Sequence, residues 1–170
     1  MMLKWSKNEL MLLPNNTVEF DEQFEFDKAT IQKIERLNDL RKIQVQGIGR
    51  YDHSLQRFYV DMTISGDMIV PCAITLEDVL VPLEISSTET FAFEKAPNED
   101  AIEVKGEYVE LLPVILQLIV MEIPWKVIKE GIESYPRGDG WEVLKEEELL
   151  KEKKEMDPRL AKLKEFKFDE

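Results

Sequence analysis

Between Phe58 and Ile74 every even-numbered position but one is apolar: Phe58, Val60, Met62, Ile64, Met68, Val70, Cys72 and Ile74, with Gly66 the only gap. The odd positions carry Tyr59, Asp61, Thr63, Ser65 and Asp67. A period of two sustained this long is the pleat of a β-strand with one face in a core and the other in water. The pattern repeats on both sides. Ile43, Val45, Gly47, Gly49 and Tyr51 share one parity, as do Val79, Val81, Leu83 and Ile85, followed by Phe91 and Phe93 and then Ile102 and Val104. Val18, Phe20, Phe24 and Phe26 alternate with polar residues ahead of them. Alternation, as opposed to unbroken apolar runs, predicts antiparallel strands with one wet face. Gly66 predicts a bulge or bend, because glycine inside a strand pattern often marks one.

Helical signals are few. Ser6 and Glu9 stand at capping-box spacing before Leu10, Met11 and Leu13, and predict a helix from Lys7 to Leu13 closed by Pro14. Asn15-Asn16 reads as a turn, and Asp27 caps a brief helix through Ile31 and Ile34. From Glu110 to Ile123 the apolar residues wrap nearly all round a helical projection, which predicts a core helix covering the sheet. Pro113 fits only its first turn, and Pro124 ends it. The apolar run Leu111 to Met121 is about half the ~20 residues that span a bilayer, and the first residues lack a secretory pattern. The expectation is a cytoplasmic protein without membrane contact.

The chain has 170 residues, with 35 acidic and 22 basic side chains and a net charge of -13. Such a surface repels phosphate on average, which argues against a free nucleic-acid binder, with no DNA partner expected, and favours a cationic partner. The charge is unevenly placed. Lys145 to Glu170 holds 8 basic and 9 acidic residues, so nearly all the acidity belongs to the rest of the chain. We therefore expect an α+β domain over residues 1–133 and a charged C-terminal tail over 134–170. In that tail Ser134 to Gly140 reads as a loop, and Lys145 to Met156 has charges without an apolar face. A short helix is expected over 158–167.

No constellation for chemistry emerges. The single cysteine, Cys72, follows Pro71 on the core parity without an activating base nearby in sequence, and reads as a buried thiol. The single histidine, His53, falls in a turn between strands. Gly47-x-Gly49 leads into a turn and a strand, where a phosphate loop needs a helix. Glu77-Asp78 and Glu99-Asp100 read as solvated neighbours. We expect no catalytic residues, no metal and no cofactor.

What remains is a binding pattern in the tail. Trp141, set in a charged segment, either staples the tail to the domain or anchors a partner; the drive to bury a large ring favours the staple. Asp157-Pro158 starts a helix as N-cap and N1 proline, with Leu160, Leu163 and Phe166 on one stripe. Arg159, Lys162, Lys164 and Lys167 give that helix the one dense cationic cluster that sequence reading finds.

Asp157-Pro158-Arg159-Leu160-Ala161-Lys162-Leu163-Lys164 resembles the C-terminal signature of the bacterial YceD family. The order of parts agrees: early strands, the sheet with Pro71-Cys72, the helix ending in Ile123-Pro124, a charged segment, then the signature. Gly138-Asp139-Gly140-Trp141 is similar to the version in low-GC Gram-positive members. The resemblance implies a non-enzymatic role in accumulation of large-subunit ribosomal RNA, in a family often encoded beside a small zinc-binding protein of the large subunit. Many relatives carry Cys-x-Arg-Cys where this chain has Cys72-Ala73-Ile74-Thr75, so a two-thiol function has no second thiol here.

Together these readings predict an α+β fold with an antiparallel, barrel-like sheet, one buried helix and a charged helical C-terminal tail. The expected function is ribosome biogenesis by binding a large-subunit precursor, through ribosomal protein or ribosomal RNA. Trp141, Asp157, Pro158, Arg159, Leu160, Lys162, Leu163 and Lys164 are the expected contact residues. Two alternatives stand beside it: a small-ligand protein or enzyme with a pocket in the sheet, and an oligomeric module pairing strand edges.

Overall fold

The long alternating segments become three long strands of one sheet. The computed structural model describes residues 3–94, 101–132 and 135–144. In chain order the elements begin with β1 (Lys4–Ser6), α1 (Lys7–Met11), β2 (Thr17–Phe24), α2 (Lys28–Ile31), β3 (Asp39–Asp52), β4 (Arg57–Pro71) and β5 (Asp78–Ala92). They continue with β6 (Ile102–Glu103), β7 (Tyr108–Glu110), α3 (Leu112–Glu122), β8 (Arg137–Gly138) and β9 (Trp141–Glu142). By internal contacts the chain divides into one unit ending at Ile128 and another beginning at Lys129.

In the first unit the main sheet runs β2-β3-β4-β5-β6, antiparallel except for β6, which pairs in parallel at Phe91↔Ile102 and Ala92↔Glu103. The even positions of β4 lie in the core as the alternation predicts: Phe58, Val60, Met62, Ile64, Met68 and Val70 are all buried. They share one hydrophobic cluster with Ile43 and Val45 of β3, Val109 of β7, and Leu111, Ile115 and Ile119 at α3. Each fully buried side chain of this size contributes about 1.5–3 kcal/mol against the entropy of ordering the chain. Gly47 and Gly49 make room inside it. A Cβ at Gly49 would lie 2.3 Å from Cζ of Phe58, and one at Gly47 2.8 Å from Cζ of Phe20.

The expected barrel does not form. β2 and β6 are opposite edges of an open sheet, and β6 is too short to carry the ladder round to β2. The inner face is closed by other elements instead. β1 pairs with β7 in a separate two-stranded sheet, and α3 adds Ile115 and Ile119 to the same core. Helix α3 is also less buried than the all-round apolar pattern predicts: Val120 is exposed and Met121 is 72% exposed. Glu110 belongs to β7, so the helix starts two residues later than expected.

Other boundaries shift for local reasons. The Ser6 cap forms, with Ser6 N donating to Glu9 Oε2 (2.7 Å) and Glu9 N donating to Ser6 Oγ (3.2 Å). The helix it starts ends at Met11, before a single 3-10 turn at Pro14–Asn16 in which Asn15 and Asn16 take φ of 56° and 57°. Asparagine tolerates this left-handed region better than most residues. Helix α2 stops at Ile31, short of Ile34. The predicted irregularity at Gly66 is real, but the extra residue is on the neighbouring strand. Register shifts between Arg41 and Gln44 of β3, and Ile43 Cδ1 occupies the space a side chain at Gly66 would need. β4 ends at Pro71, and Cys72 O accepts from Leu76 N in a turn, so Ile74 lies beyond the strand.

Candidate functional site

Asp157, Pro158, Arg159, Leu160, Lys162, Leu163 and Lys164, the expected helix over 158–167 and the segment 145–156 all lie outside the described residues. Trp141 lies within them. The loop expected over 134–140 supplies the first strand and the turn of a small hairpin, in which β8 and β9 pair at Arg137↔Glu142 and Gly138↔Trp141. Gly140 supplies the turn with φ of 81°, and Val143 N donates to Pro136 O (3.1 Å). The Trp141 indole lies over Gly138, where a Cβ would meet Nε1 at 2.4 Å. The ring is nonetheless 57% exposed. Backbone pairing and a glycine seat thus hold an indole with much of its surface in water.

Cys72 and His53 are accounted for by the fold. Cys72 is buried, and its Sγ accepts from Ile74 N at 3.5 Å. His53 Nε2 is 2.8 Å from Asn16 Oδ1, and the imidazole packs edge-on against Tyr51. Asp52 beside it accepts from Ser54 Oγ (2.6 Å), Ser54 N (2.8 Å) and Leu55 N (3.1 Å). The Ser54 hydroxyl, followed by the Leu55 and Ser54 amides, holds that carboxyl below its ordinary range. It is fixed as a turn cap.

The wet face of the main sheet is hollow. Glu19 and Asp21, Gln46 and Ile48, Asp61 and Thr63, and Ser86 and Thr88 line an open trough of about 1020 Å³ across β2 to β5. Its carboxylates are largely engaged. Asp61 accepts from Arg50 Nη2 (2.7 Å) and Thr88 Oγ1 (2.8 Å), and Asp21 accepts from Gln44 Nε2 (2.8 Å). These cross-strand pairs are exposed and worth little in stability each, but they line the trough with a hydrogen-bonded polar surface.

Sequence reading passed over one side chain: Trp125 is 85% exposed, and the guanidinium carbon of Arg36 lies 4.3 Å from its ring centroid. The signal was present in Pro124, which ends α3 and so releases the next residue from the helix's buried face.

A model of the YceD family, described as "Large ribosomal RNA subunit accumulation protein YceD", matches residues 60–167. The chain is also 34% identical to a curated protein of Bacillus subtilis (strain 168) described as "Uncharacterized protein YlbN", over 95% of this chain and 94% of that one. No solved structure matches the chain. The family match begins near the start of β4 and runs through β5, α3, the Trp141 hairpin and the tail. This chain belongs to the YceD family.

Proposed function

We propose that this member of the YceD family is a cytoplasmic ribosome-biogenesis factor that supports accumulation of large-subunit ribosomal RNA by binding a precursor particle, without catalysis. The observation that carries the reading is the extent of the family match, which takes in both the β4–β5 hairpin and the whole stretch from Trp141 to Lys167. A family defined by its sheet alone would not need the cationic signature Arg159, Lys162 and Lys164. In this reading the sheet is the scaffold. Trp141 and the segment Asp157, Pro158, Arg159, Leu160, Lys162, Leu163 and Lys164 make the contact, the apolar stripe docking and the cations meeting phosphate or acidic side chains.

The electrostatics suit a selective contact. Within about a Debye length, ~8 Å at physiological salt, a body this acidic is repelled by bulk RNA, so only a correctly presented cationic segment gains from close approach. The engaged carboxylates of the sheet trough suit a contact surface better than an acid–base pair, which needs groups poised to exchange protons. The test is depletion of the protein in its own host. The proposed role predicts a fall in large-subunit ribosomal RNA relative to small-subunit RNA, restored by wild-type protein and not by an Arg159→Glu/Lys162→Glu variant. Unchanged large-subunit RNA on depletion contradicts it.

A further inference from the structure

We infer that the Arg36–Trp125 pair is a second contact surface, on the folded body, and that it takes single-stranded RNA by stacking a nucleobase on the Trp125 indole. The inference deepens the function proposed above by naming the partner's chemistry, and rests on that function only for the source of the RNA.

Three observations converge. The first is the ring itself. Trp125 follows the helix-stopping Pro124 and is 85% exposed, with Arg36 4.3 Å from its centroid as its described partner. A cation over an indole is favourable, and leaves most of the flat aromatic surface open to a second planar group. The second is backbone placement. Arg36 sits at φ of 64°, a region most side chains avoid, in the segment that ends α2 and leads into β3. That segment is tied down on both sides of the sheet end. Asn38 N donates to Ile69 O (2.8 Å), and Asn38 Nδ2 donates to Asp78 Oδ1 (2.7 Å). The guanidinium is therefore presented from an anchored stretch.

The third is charge, and it decides the class of partner. The chain as a whole carries -13, yet residues 28–42 hold five cations against two carboxylates. Lys33, Arg36, Arg41 and Lys42 are all exposed, and Lys126 adds another exposed cation directly after the tryptophan. Of the two carboxylates, Asp39 pairs with Arg41 at 3.0 Å, and Glu35 is exposed. A guanidinium over an open indole, Lys126 next to it in sequence and the cation excess of the segment that carries Arg36 match a phosphate backbone with an unstacked base. Exposed Leu76 and Met121 would suit a protein partner. An apolar protein contact, however, gives no reason for a local excess of cations on an otherwise acidic chain. Bases in duplex RNA are stacked away, so the occupant must be a single strand, a loop or a bulge.

The test uses the full-length protein and a fluorescently labelled single-stranded RNA octamer of mixed sequence, read by anisotropy at graded salt. Trp125→Ala is expected to weaken binding about tenfold and Trp125→Phe to restore much of it, since any aromatic face stacks. Lys33→Glu/Arg36→Glu is expected to weaken binding and flatten its salt dependence, by removing phosphate contacts. Melting temperatures should change little, because the substituted side chains are exposed. Octamer binding equal for wild type and Trp125→Ala overturns the inference, as does no binding by wild type at low salt. Loss of co-sedimentation with large-subunit precursors by Trp125→Ala, without any octamer binding by wild type, assigns the surface to a protein and also overturns it. Octamer binding through Trp125 with no association of wild-type protein with precursors keeps the inference and removes the ribosomal role.

Discussion

The Cβ that Gly49 lacks would stand 2.3 Å from Cζ of Phe58, the largest fully buried side chain in the core. Phe58 in turn lies 5.7 Å from Trp5 and 6.5 Å from Phe91, ring centroid to centroid, so its ring has little freedom to withdraw. Gly49→Ala is expected to destabilise the domain by about 1–3 kcal/mol through overpacking. Combining it with Phe58→Leu should recover part of the loss, leaving a coupling of about 0.5–3 kcal/mol in a denaturation double-mutant cycle. Strict additivity would contradict the contact.

Cys72 tests whether the one thiol is structural. It is buried, and Ile74 N points to its sulfur. Cys72→Ala is expected to cost about 1 kcal/mol, in line with trimming a small buried side chain, and to leave association with ribosomal particles unchanged. Sedimentation together with thermal melting separates the two effects. A variant that melts like wild type yet no longer supports large-subunit RNA accumulation would give the thiol a function of its own.

Acid sensitivity should come partly from local caps. The Ser6 backbone amide, followed by its hydroxyl, holds Glu9 below the ordinary carboxylate range, and the Ser54 hydroxyl leads the same effect on Asp52. A carboxyl depressed in the folded state binds protons more weakly there than when unfolded. Its stabilisation is therefore fully present above the unfolded pKa, about 4, and is lost as pH falls through the lower folded value. Glu9→Gln and Asp52→Asn should each be less stable than wild type at neutral pH, with the gap closing at low pH. A gap independent of pH in paired urea titrations would show that the charges do not matter.

The sheet was legible because burial leaves a period of two, and the even positions from Phe58 to Val70 obey it except at Gly66, while Ile69 is buried out of phase. Closure was not legible. Whether a sheet meets itself depends on the length and direction of its last strand, and β6 is two residues long and parallel, a detail that Ile102 and Val104 do not announce. Helix α3 shows the same limit. Its composition reads as buried all round, but only tertiary packing decides that Ile115 is inside while Met121 faces water. Trp141 was legible as a candidate because an indole among charges has no local reason to be there. Its hairpin was not, because Gly138 acts as a seat only once β8 and β9 pair. Trp125 was missed because its partner Arg36 is far away in sequence, and a cation–ring contact of that kind leaves no period to detect.

The Trp141 hairpin gives a separate prediction. Gly138→Val should displace the indole and loosen β8–β9, while Trp141→Ala removes the ring and keeps the turn glycine. Both should weaken association with large-subunit precursors, by about 1–2 kcal/mol for loss of an anchoring tryptophan, with little change in the melting of the domain. Near-infrared imaging of tagged protein across sucrose gradients reads the bound fraction. Full association by both variants would remove Trp141 from the contact.

The central claim is tested most directly by where the protein runs in a sucrose gradient of host lysate at graded salt. The expected result is co-migration of wild-type protein with large-subunit precursors. The full-length Arg159→Glu/Lys162→Glu variant should shift to the top of the gradient at salt concentrations that wild type withstands, with its melting temperature unchanged. Wild-type protein found only at the top of the gradient at every salt concentration, or a variant that co-migrates as wild type does, would contradict the account.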